Sequence, residues 1–261
     1  MAPLPVTQPM AQMTAPMAQL PGTQPMAAVS QPITTSTGSF VIVPGPPTTA
    51  INSTPTPLYL AVAANQAQMV QMFVERNANP DSMAQAISAD GKSMEVKAPL
   101  HVAASNGAEY LDTLQELLKS KDLSLNIVNS EGHTALHCAV LNHGRPTRGN
   151  NTTVNSLPII EVLIKAGIEA NSQAKKSGKT PLMYAIERRD YNLVESMLRL
   201  FDHSKLRSII QSQTFDGSSC LKIAEGLKGE YKSEDWHKLW NLLNSAYQGQ
   251  IMNNVLYNRT Y

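Results

Sequence analysis

The sequence predicts an all-α solenoid of about five stacked helix-turn-helix repeats, preceded by a disordered segment. Two observations support this prediction. A block that begins with Thr-x-Leu-His, or a variant of it, recurs five times between residues 56 and 250, and such self-similarity is typical of repeat architectures. Residues 1–55, in contrast, are rich in Met, Gln, Pro and Thr and contain no charged side chain, a composition that does not build a packed core.

The N-terminal segment differs from the rest of the chain in its proline content. Of the 17 prolines, 11 lie at or before Pro55, and the first charged residue is Glu75. Frequent proline interrupts both helices and sheet ladders. We therefore expect residues 1–55 to be disordered, with a transcriptional activation segment and an inert tail both compatible with the composition. The apolar run Phe40–Val43 could form a short docking strand.

The third repeat shows the pattern most fully. Gly132 suits the positive φ of a tight turn, and Thr134 caps the helix that follows. Leu136, Ala139 and Val140 fall at helical spacing on one face. A small residue at Ala139 allows a neighbouring helix to approach closely. The five repeats begin at Thr56, Ala98, Thr134, Thr180 and Ser219.

Several reactive side chains have structural explanations in this pattern. His101 and His137 occupy the fourth position of the tetrapeptide, where the ring can bridge the backbone of adjacent turns. Cys138 lies on the packing face, which favours a buried, unreactive thiol. Cys138 and Cys220 are the two cysteines of the chain, so the sequence indicates neither a disulfide framework nor a zinc site. His133 is expected at an exposed hairpin tip.

The C-terminal end of the stack requires a cap, because a terminal repeat has no neighbour to cover its apolar side. Trp236 and Trp240 would shield this last face. Residues 251–261 are expected to form a polar tail.

Composition and motifs exclude most other classes of function. With 21 basic and 20 acidic residues the net charge is +1, so nothing favours direct binding of nucleic acid. No apolar run reaches the roughly 20 residues that span a bilayer, and we expect no membrane segment. The sequences around Gly91 and Gly178 resemble the end of a phosphate-binding loop but lack its first glycine. We therefore expect no enzymatic activity, no cofactor and no metal.

The remaining candidate site is a protein-binding surface, because a solenoid presents an extended face built from hairpin tips and first helices. The charged and polar candidates cluster in repeats three and four. Each of them alone is also compatible with a solvated rim. The candidate partner-binding residues are Asn129, Glu131, His133, Lys175, Lys176, Lys179, Glu187, Arg188 and Arg189.

The tetrapeptide resembles the signature of the ankyrin repeat, whose usual form is Thr-Pro-Leu-His. More narrowly, the stretches Ala61–Gln66, Thr134–Val140 and Lys176–Leu182 are similar to successive repeats of the IκB family, and in particular to its atypical nuclear members of zeta type. The resemblance covers residues 56–225. It implies a non-enzymatic regulator that binds Rel-homology (NF-κB) dimers or an immune signalling complex through the ankyrin stack.

The chain also departs from this family pattern. A family member would have a further repeat before Thr56, no Asp-Ser-Gly phosphodegron occurs in residues 1–55, and no acidic tail follows the last repeat. We expect a monomer that acts in the nucleus, the cytoplasm or both. The alternative is a cytoplasmic ankyrin scaffold for immune signalling proteins other than Rel factors.

The spacing of the repeats predicts two insertions. The start positions 56, 98, 134, 180 and 219 are separated by 42, 36, 46 and 39 residues, whereas the ankyrin period is about 33. We expect the excess to be loop, mainly at residues 82–97 and 142–156. Because loop entropy grows only slowly with length, deletion of residues 144–155 is expected to do little harm.

Overall fold

The computed structural model describes residues 33–35, 38–40, 54–87, 94–147, 152–229 and 233–248. The segment predicted to be disordered, 1–55, lies outside these ranges except for two short strands and its last two residues. The predicted polar tail, 251–261, lies outside them entirely.

The described chain is mostly helical, with two small antiparallel sheets. The strands are β1 (Ile33–Thr35), β2 (Gly38–Phe40), β3 (Ala84–Ile87) and β4 (Met94–Lys97). The helices are α1 (Pro57–Ala63), α2 (Ala67–Glu75), α3 (Pro99–Ser105), α4 (Leu111–Leu118), α5 (Ala135–Asn142), α6 (Leu157–Lys165), α7 (Pro181–Glu187), α8 (Tyr191–Leu200), α9 (His203–Gln211), α10 (Cys220–Gly226) and α11 (Ser233–Tyr247). A 3₁₀ turn, Gly107–Tyr110, precedes α4.

The predicted stack of five repeats is confirmed. The first helices α1, α3, α5, α7 and α10 pack in this order, and the second helices α2, α4, α6, α8 and α11 form a parallel row. One alanine of each first helix is buried at the helix contact, where a larger side chain would force the helices apart. These alanines are Ala61, Ala103, Ala139, Ala185 and Ala224.

The first helices begin as the capping pattern predicts. The Thr56 hydroxyl accepts a hydrogen bond from the backbone N–H of Tyr59 at 3.2 Å, and proline occupies the first helical turn of α1. Thr134 differs, since its hydroxyl lies 2.9 Å from Nδ1 of His137. The cap of α5 therefore includes the histidine ring.

Histidine joins consecutive repeats, as the sequence predicts. Nδ1 of His101 accepts the Ala98 N–H at 3.2 Å, while its Nε2 lies 2.9 Å from the His133 carbonyl. His137 repeats the arrangement with the Thr134 N–H at 3.2 Å and the Lys179 carbonyl at 3.1 Å. Because Nδ1 accepts in both rings, Nε2 carries the proton and donates to the next repeat.

The first insertion is a β-hairpin, so the prediction of a loop at 82–97 is wrong for its described part. β3 and β4 pair in antiparallel register, with Ala84 opposite Lys97. The hairpin continues onto the next repeat, because Val96 N–H donates to Oγ of Ser130 and the Ser130 N–H donates to the Val96 carbonyl, both at 3.1 Å. The extra length is stabilised by strand pairing and by these two hydrogen bonds, which the spacing alone could not reveal.

The second insertion is also ordered by pairing in its described part. The Gly144 N–H donates to the Val154 carbonyl, and the Val154 N–H to the Arg145 carbonyl, each at 2.8 Å. The Asn155 carbonyl accepts the Ala108 N–H of the preceding repeat at 2.7 Å. As predicted, no helix or named strand lies in the described part of this insertion, but hydrogen bonds hold its ends, and the expectation that 144–155 can be deleted at little cost needs revision.

Helix α9 was not predicted. It lies between the fourth and fifth repeats, contacts α10 and α11, and buries Leu206, Ile209 and Ile210. These three residues have helical spacing, and Asp202 caps the helix by accepting the Ser204 N–H at 3.0 Å. The signal was present in the sequence but falls outside the repeat pattern.

Helix α11 covers the end of the stack, as predicted for the two tryptophans. Trp236 is 8% exposed and donates Nε1–H to the Ala224 carbonyl at 2.8 Å. The Trp240 ring stacks on it with a centroid separation of 5.3 Å. Within the described ranges, none of the helices is long and apolar enough to span a membrane.

Candidate functional site

Five of the predicted partner-binding residues lie on one surface, built from hairpin tips and first helices. Lys176 Nζ lies 2.5 Å from a Glu131 carboxylate oxygen, which links the hairpins before α5 and α7. Lys179 Nζ extends along α7 and lies 2.7 Å from the Glu187 carboxylate. His133 lies between them. We call this surface the hairpin face; it comprises Glu95, Lys97, Glu131, His133, Lys176, Lys179, Tyr184 and Glu187.

On the hairpin face, the same position of three successive repeats carries a basic side chain or a histidine, and the sequence prediction did not include the one in repeat two. Lys97, His133 and Lys179 each directly precede the N-cap residue of a first helix. Lys97 pairs with Glu95 at 2.9 Å, and their side chains are only 9% and 15% exposed. An alignment of the repeats would have identified Lys97 as the counterpart of Lys179. The structure thus extends the row of charges into repeat two.

Tyr184 also belongs to the hairpin face but was not predicted as a partner-binding residue. Its ring meets the rings of His133 and His137 edge-on, at centroid distances of 5.7 and 5.9 Å. Its hydroxyl lies 3.0 Å from Oγ of Ser177, and Lys179 Nζ lies 5.7 Å from its ring centroid. The ring is partly exposed, so it offers a rigid aromatic contact with a polar tip, a type of residue enriched at interface hot spots.

His133 is half-buried, which corrects the expectation of an exposed hairpin tip. Its ring stacks on His137 with a centroid separation of 5.5 Å. Burial lowers the pKa of His133, opposed by the carboxylates of Glu131 and Glu95 and assisted by neighbouring lysines. The ring is therefore neutral at neutral pH, and its charge is not part of the surface there.

Asn129 is buried, so its expected place on an exposed hairpin is also wrong. It is 5% exposed, and its Oδ1 accepts the N–H groups of Glu131 at 3.0 Å and His133 at 2.8 Å. Asn129 therefore holds the turn that presents the other two residues. Lys175 has an exposed side chain. Its backbone lies so close to Gly132 that a side chain at position 132 would clash with it.

Arg188 and Arg189 lie at the opposite end of α7, about 10 Å along the helix axis from the hairpins. Arg188 is partly buried and donates Nη1–H to the Leu141 carbonyl at 3.0 Å and Nη2–H to the His143 carbonyl. Arg189 is exposed and has a left-handed backbone, with φ of 60°. The structure therefore does not group these two arginines with the hairpin face.

A cleft of about 560 Å³ continues the hairpin face into repeat five. Its walls combine charged side chains from α7 and α10 with apolar ones. The residues that define it include Lys179, Glu187, Asp216, Lys222, Ile223 and Leu227. Such a mixed, open cleft suits a protein segment better than a small molecule, since small-molecule sites are enclosed and mostly apolar.

The thiols lie in the core. Burial raises the pKa of Cys138 to about 11 and that of Cys220 to about 12, so both are protonated at neutral pH and poorly nucleophilic. Within the part of the chain that the structure describes, no group of three or more His, Cys, Asp or Glu side chains is placed to hold a metal ion.

Comparison with known proteins agrees with this architecture. The relatives include the nuclear factor NF-kappa-B p105 subunit of Gallus gallus, 33% identical over 66% of this chain and 15% of that protein. NF-kappa-B inhibitor zeta of Mus musculus is 27% identical over 65% of this chain and 24% of its own length. The chain thus spans less than a third of either relative.

The fold is also found among solved structures. The ankyrin repeat domain of Bcl-3, described as a member of the IkappaB protein family, superposes with a TM-score of 0.52 and 24% identity, covering 73% of this chain and 69% of that one. A family model for ankyrin repeats matches residues 58–151 and 100–208 in three copies. With its stacked helix pairs and histidine bridges, the chain belongs to the ankyrin-repeat family and is similar to IκB proteins.

Proposed function

We propose that the chain is a non-enzymatic interaction module that binds a Rel-homology dimer through the hairpin face and so regulates NF-κB/Rel-type transcription. The observation that carries this proposal is the row of paired charges around the partly exposed Tyr184. The names of the relatives, which include an NF-κB subunit and an NF-κB inhibitor, support the choice of partner.

Two ion pairs of the hairpin face, Lys176–Glu131 and Lys179–Glu187, contribute little to folding. Lys176 and Glu131 are 72% and 32% exposed, and Lys179 and Glu187 are 30% and 32% exposed. Pairs of this kind stabilise a protein by about 0–1 kcal/mol. They do hold charges of both signs in fixed places, which suits the recognition of a partner with a complementary pattern.

The residues with acid-base potential are already engaged in structure. His101 and His137 bind backbone groups through both ring nitrogens, and burial lowers the pKa of each to about 4. These engagements support a binding role over a catalytic one. We place the site of action in the nucleus or the cytoplasm, without direct contact to nucleic acid.

The test is a titration of the full chain with a purified Rel-homology dimer. The triple variant Lys175→Glu, Lys176→Glu and Lys179→Glu should weaken binding by at least about tenfold, because it reverses the local potential and a tenfold loss corresponds to about 1.4 kcal/mol. The matched control is Lys119→Glu, Lys165→Glu and Arg199→Glu, on or beside the second helices α4, α6 and α8. It changes net charge equally and should leave binding unchanged.

Two results would contradict the proposal. Absence of binding at micromolar concentrations would exclude the Rel partner and favour the alternative of a scaffold for other immune signalling proteins. Equal weakening by both triple variants would show that net charge, and not the hairpin face, controls association. Microscopy of a tagged chain would then assign the compartment.

A further inference from the structure

The second helix of the first repeat exposes a position that the following three repeats bury. The side chain of Met69 is 47% exposed. Its counterparts, found by aligning the second helices from their N-terminal capping residues, are Thr113, Ile159 and Leu193, and each is 0% exposed. In those repeats the position is covered by the helix of the preceding repeat.

Two neighbouring positions show the same difference. Phe73 is only partly buried, whereas its counterparts are 0% exposed; these are Leu117, Leu163 and Met197. Pro57 of α1 is exposed, whereas the residues at the same position of the other first helices are buried; these are Pro99, Ala135, Pro181 and Cys220.

These residues form an apolar surface at the start of the stack, which we call the N-terminal face: Pro57, Met69, Met72 and Phe73. Met72 is the most exposed of the large apolar members at 51%. The chain carries no charged residue before Glu75, so neither α1 nor the part of α2 before Glu75 places a charge on this surface. A contiguous apolar surface of this kind usually marks a binding site.

We infer that the N-terminal face is covered by the chain's own N-terminal segment, residues 1–32. The segment matches the chemistry of the face. It contains no charged side chain and holds five of the 12 methionines, at Met1, Met10, Met13, Met17 and Met26. Methionine side chains are flexible and polarisable, so they adapt to irregular apolar surfaces without a preformed shape.

The strands β1 and β2, which follow this segment directly in the chain, lie at the same end of the stack. β2, which belongs to the same N-terminal region, lies against β3 of the first insertion. β3 follows α2 directly in the chain and forms the outer strand of its hairpin, since β4 faces the next repeat. Residues 1–32 thus start from a point beside the first repeat, and about 32 residues can extend up to roughly 100 Å.

Covalent connection favours this occupant over a separate molecule. A tethered segment acts at an effective concentration in the millimolar range when its tether can span the distance. A second copy of the chain would have to reach that concentration in solution. At protein concentrations below the millimolar range, the tethered segment therefore occupies the N-terminal face in preference to a second copy, even when the intrinsic affinity is weak.

The test uses a spin label in the full chain and methionine methyl groups as reporters. Leu20→Cys introduces one reactive thiol for a nitroxide, because the native Cys138 and Cys220 are buried. The label should broaden the methyl signals of Met69 and Met72 strongly. Those of Met183 and Met197, three repeats away, should remain sharp and also report that the stack is folded.

A second pair of variants tests the contact itself. Met69→Glu places a charge on the N-terminal face and should restore the Met72 signal. Gln68→Glu adds the same charge at an exposed neighbouring position and should leave the broadening intact.

Three results would overturn the inference. If the Met69 and Met72 signals stay sharp in the labelled chain, residues 1–32 do not cover the face. If broadening also arises when a spin-labelled chain without isotope is mixed with an isotope-enriched chain that carries no spin label, the occupant is a second copy. If Gln68→Glu abolishes broadening as fully as Met69→Glu, general charge and not the face is responsible.

Discussion

At the scale of single residues, the two buried histidines show how one side chain connects consecutive repeats. Each ring accepts a backbone N–H at the start of its own helix and donates to a carbonyl of the next hairpin. A buried ring with both nitrogens bonded is stable only in its neutral form, because protonation would place a hydrogen on the accepting Nδ1. The repeat junctions are therefore sensitive to acid.

The pKa values of these histidines predict a loss of stability in mild acid. Burial lowers the pKa of His101 and His137 from 6.5 to about 4. Unfolding therefore takes up protons between these values, and the free energy of unfolding falls as the pH is lowered from 6.5 towards 4. The loss between pH 7 and pH 5 should reach about 3–4 kcal/mol for the pair, measured by urea unfolding.

The control for this prediction comes from repeat four, which carries Met183 at the histidine position, with its sulfur 3.5 Å from the Thr180 nitrogen. His137→Met should therefore flatten the pH dependence by about half. An unchanged slope would show that other groups cause the acid sensitivity.

Tyr59 occupies the histidine position of repeat one but lacks its function. The residue is 2% exposed, and among the residues that the structure describes its hydroxyl has no hydrogen-bond partner. Tyr59→Phe should therefore leave stability unchanged or raise it by up to about 1 kcal/mol, because it removes an unpaired buried group.

The buried Tyr110 is the matched control. Its hydroxyl donates to the Ala63 carbonyl at 3.0 Å, so Tyr110→Phe should lower the free energy of unfolding by about 1–2 kcal/mol. Equal effects of the two substitutions in denaturant unfolding would contradict this assignment.

At the scale of elements, the two insertions are extensions of structure and not free loops. The first continues the row of hairpins through two hydrogen bonds between Val96 and Ser130, one of them accepted by the Ser130 hydroxyl. The second contacts the preceding repeat, where Val154 lies so close to Gly107 that no Cβ fits between them. Each insertion therefore adds contacts between neighbouring repeats.

The second insertion can be shortened only at its tip. The Thr147 N–H donates to the Thr152 carbonyl at 2.9 Å, a pairing that a two-residue Asn-Gly turn can close. Replacement of residues 148–151 by Asn-Gly should change the free energy of unfolding by less than about 0.5 kcal/mol.

Deletion of residues 144–155 is the comparison. It leaves the Ala108 N–H without the Asn155 carbonyl and should cost about 1–3 kcal/mol. A harmless full deletion, measured in the same unfolding experiment, would restore the simpler interpretation of a loop.

At the scale of the whole molecule, stability is a chain of nearest-neighbour interactions. Each first helix packs on the first helices of the adjacent repeats and on the second helix of its own repeat, and the second helices likewise pack on those of the adjacent repeats. In such an array the end repeats open first, and each interface protects the next. The C-terminal end is covered by α11, whereas the start of the stack exposes the N-terminal face.

Removal of the C-terminal cap should loosen the molecule from that end. Trp236→Ala deletes a buried ring and its hydrogen bond to Ala224, and should cost about 3–5 kcal/mol. Hydrogen exchange should accelerate most in α10 and α11 and least in α1 and α3.

Trp240→Ala, at a partly buried position, should give a smaller effect with the same distribution. Uniform acceleration along the chain would indicate that the stack opens as one cooperative unit.

The sequence by itself determined the number and order of the repeats and the capping residue of each first helix. Caps such as Thr56, small contact residues such as Ala139 and the bridging role of His137 depend on neighbours within a few residues, or on a motif that repeats. The sequence also placed Glu131, Lys176 and Lys179 in the candidate site, because hairpin tips occur at a fixed offset from each helix.

Only the tertiary structure decided which side chains meet across repeats. The ion pair between Glu131 and Lys176 joins residues 45 positions apart. The ring of Tyr184 contacts the rings of His133 and His137, which belong to the preceding repeat. Burial of Asn129 and the pairing of the two insertions likewise depend on what the next repeat supplies. Local patterns do not encode such contacts, because they arise when separate helix pairs stack and exclude water between them.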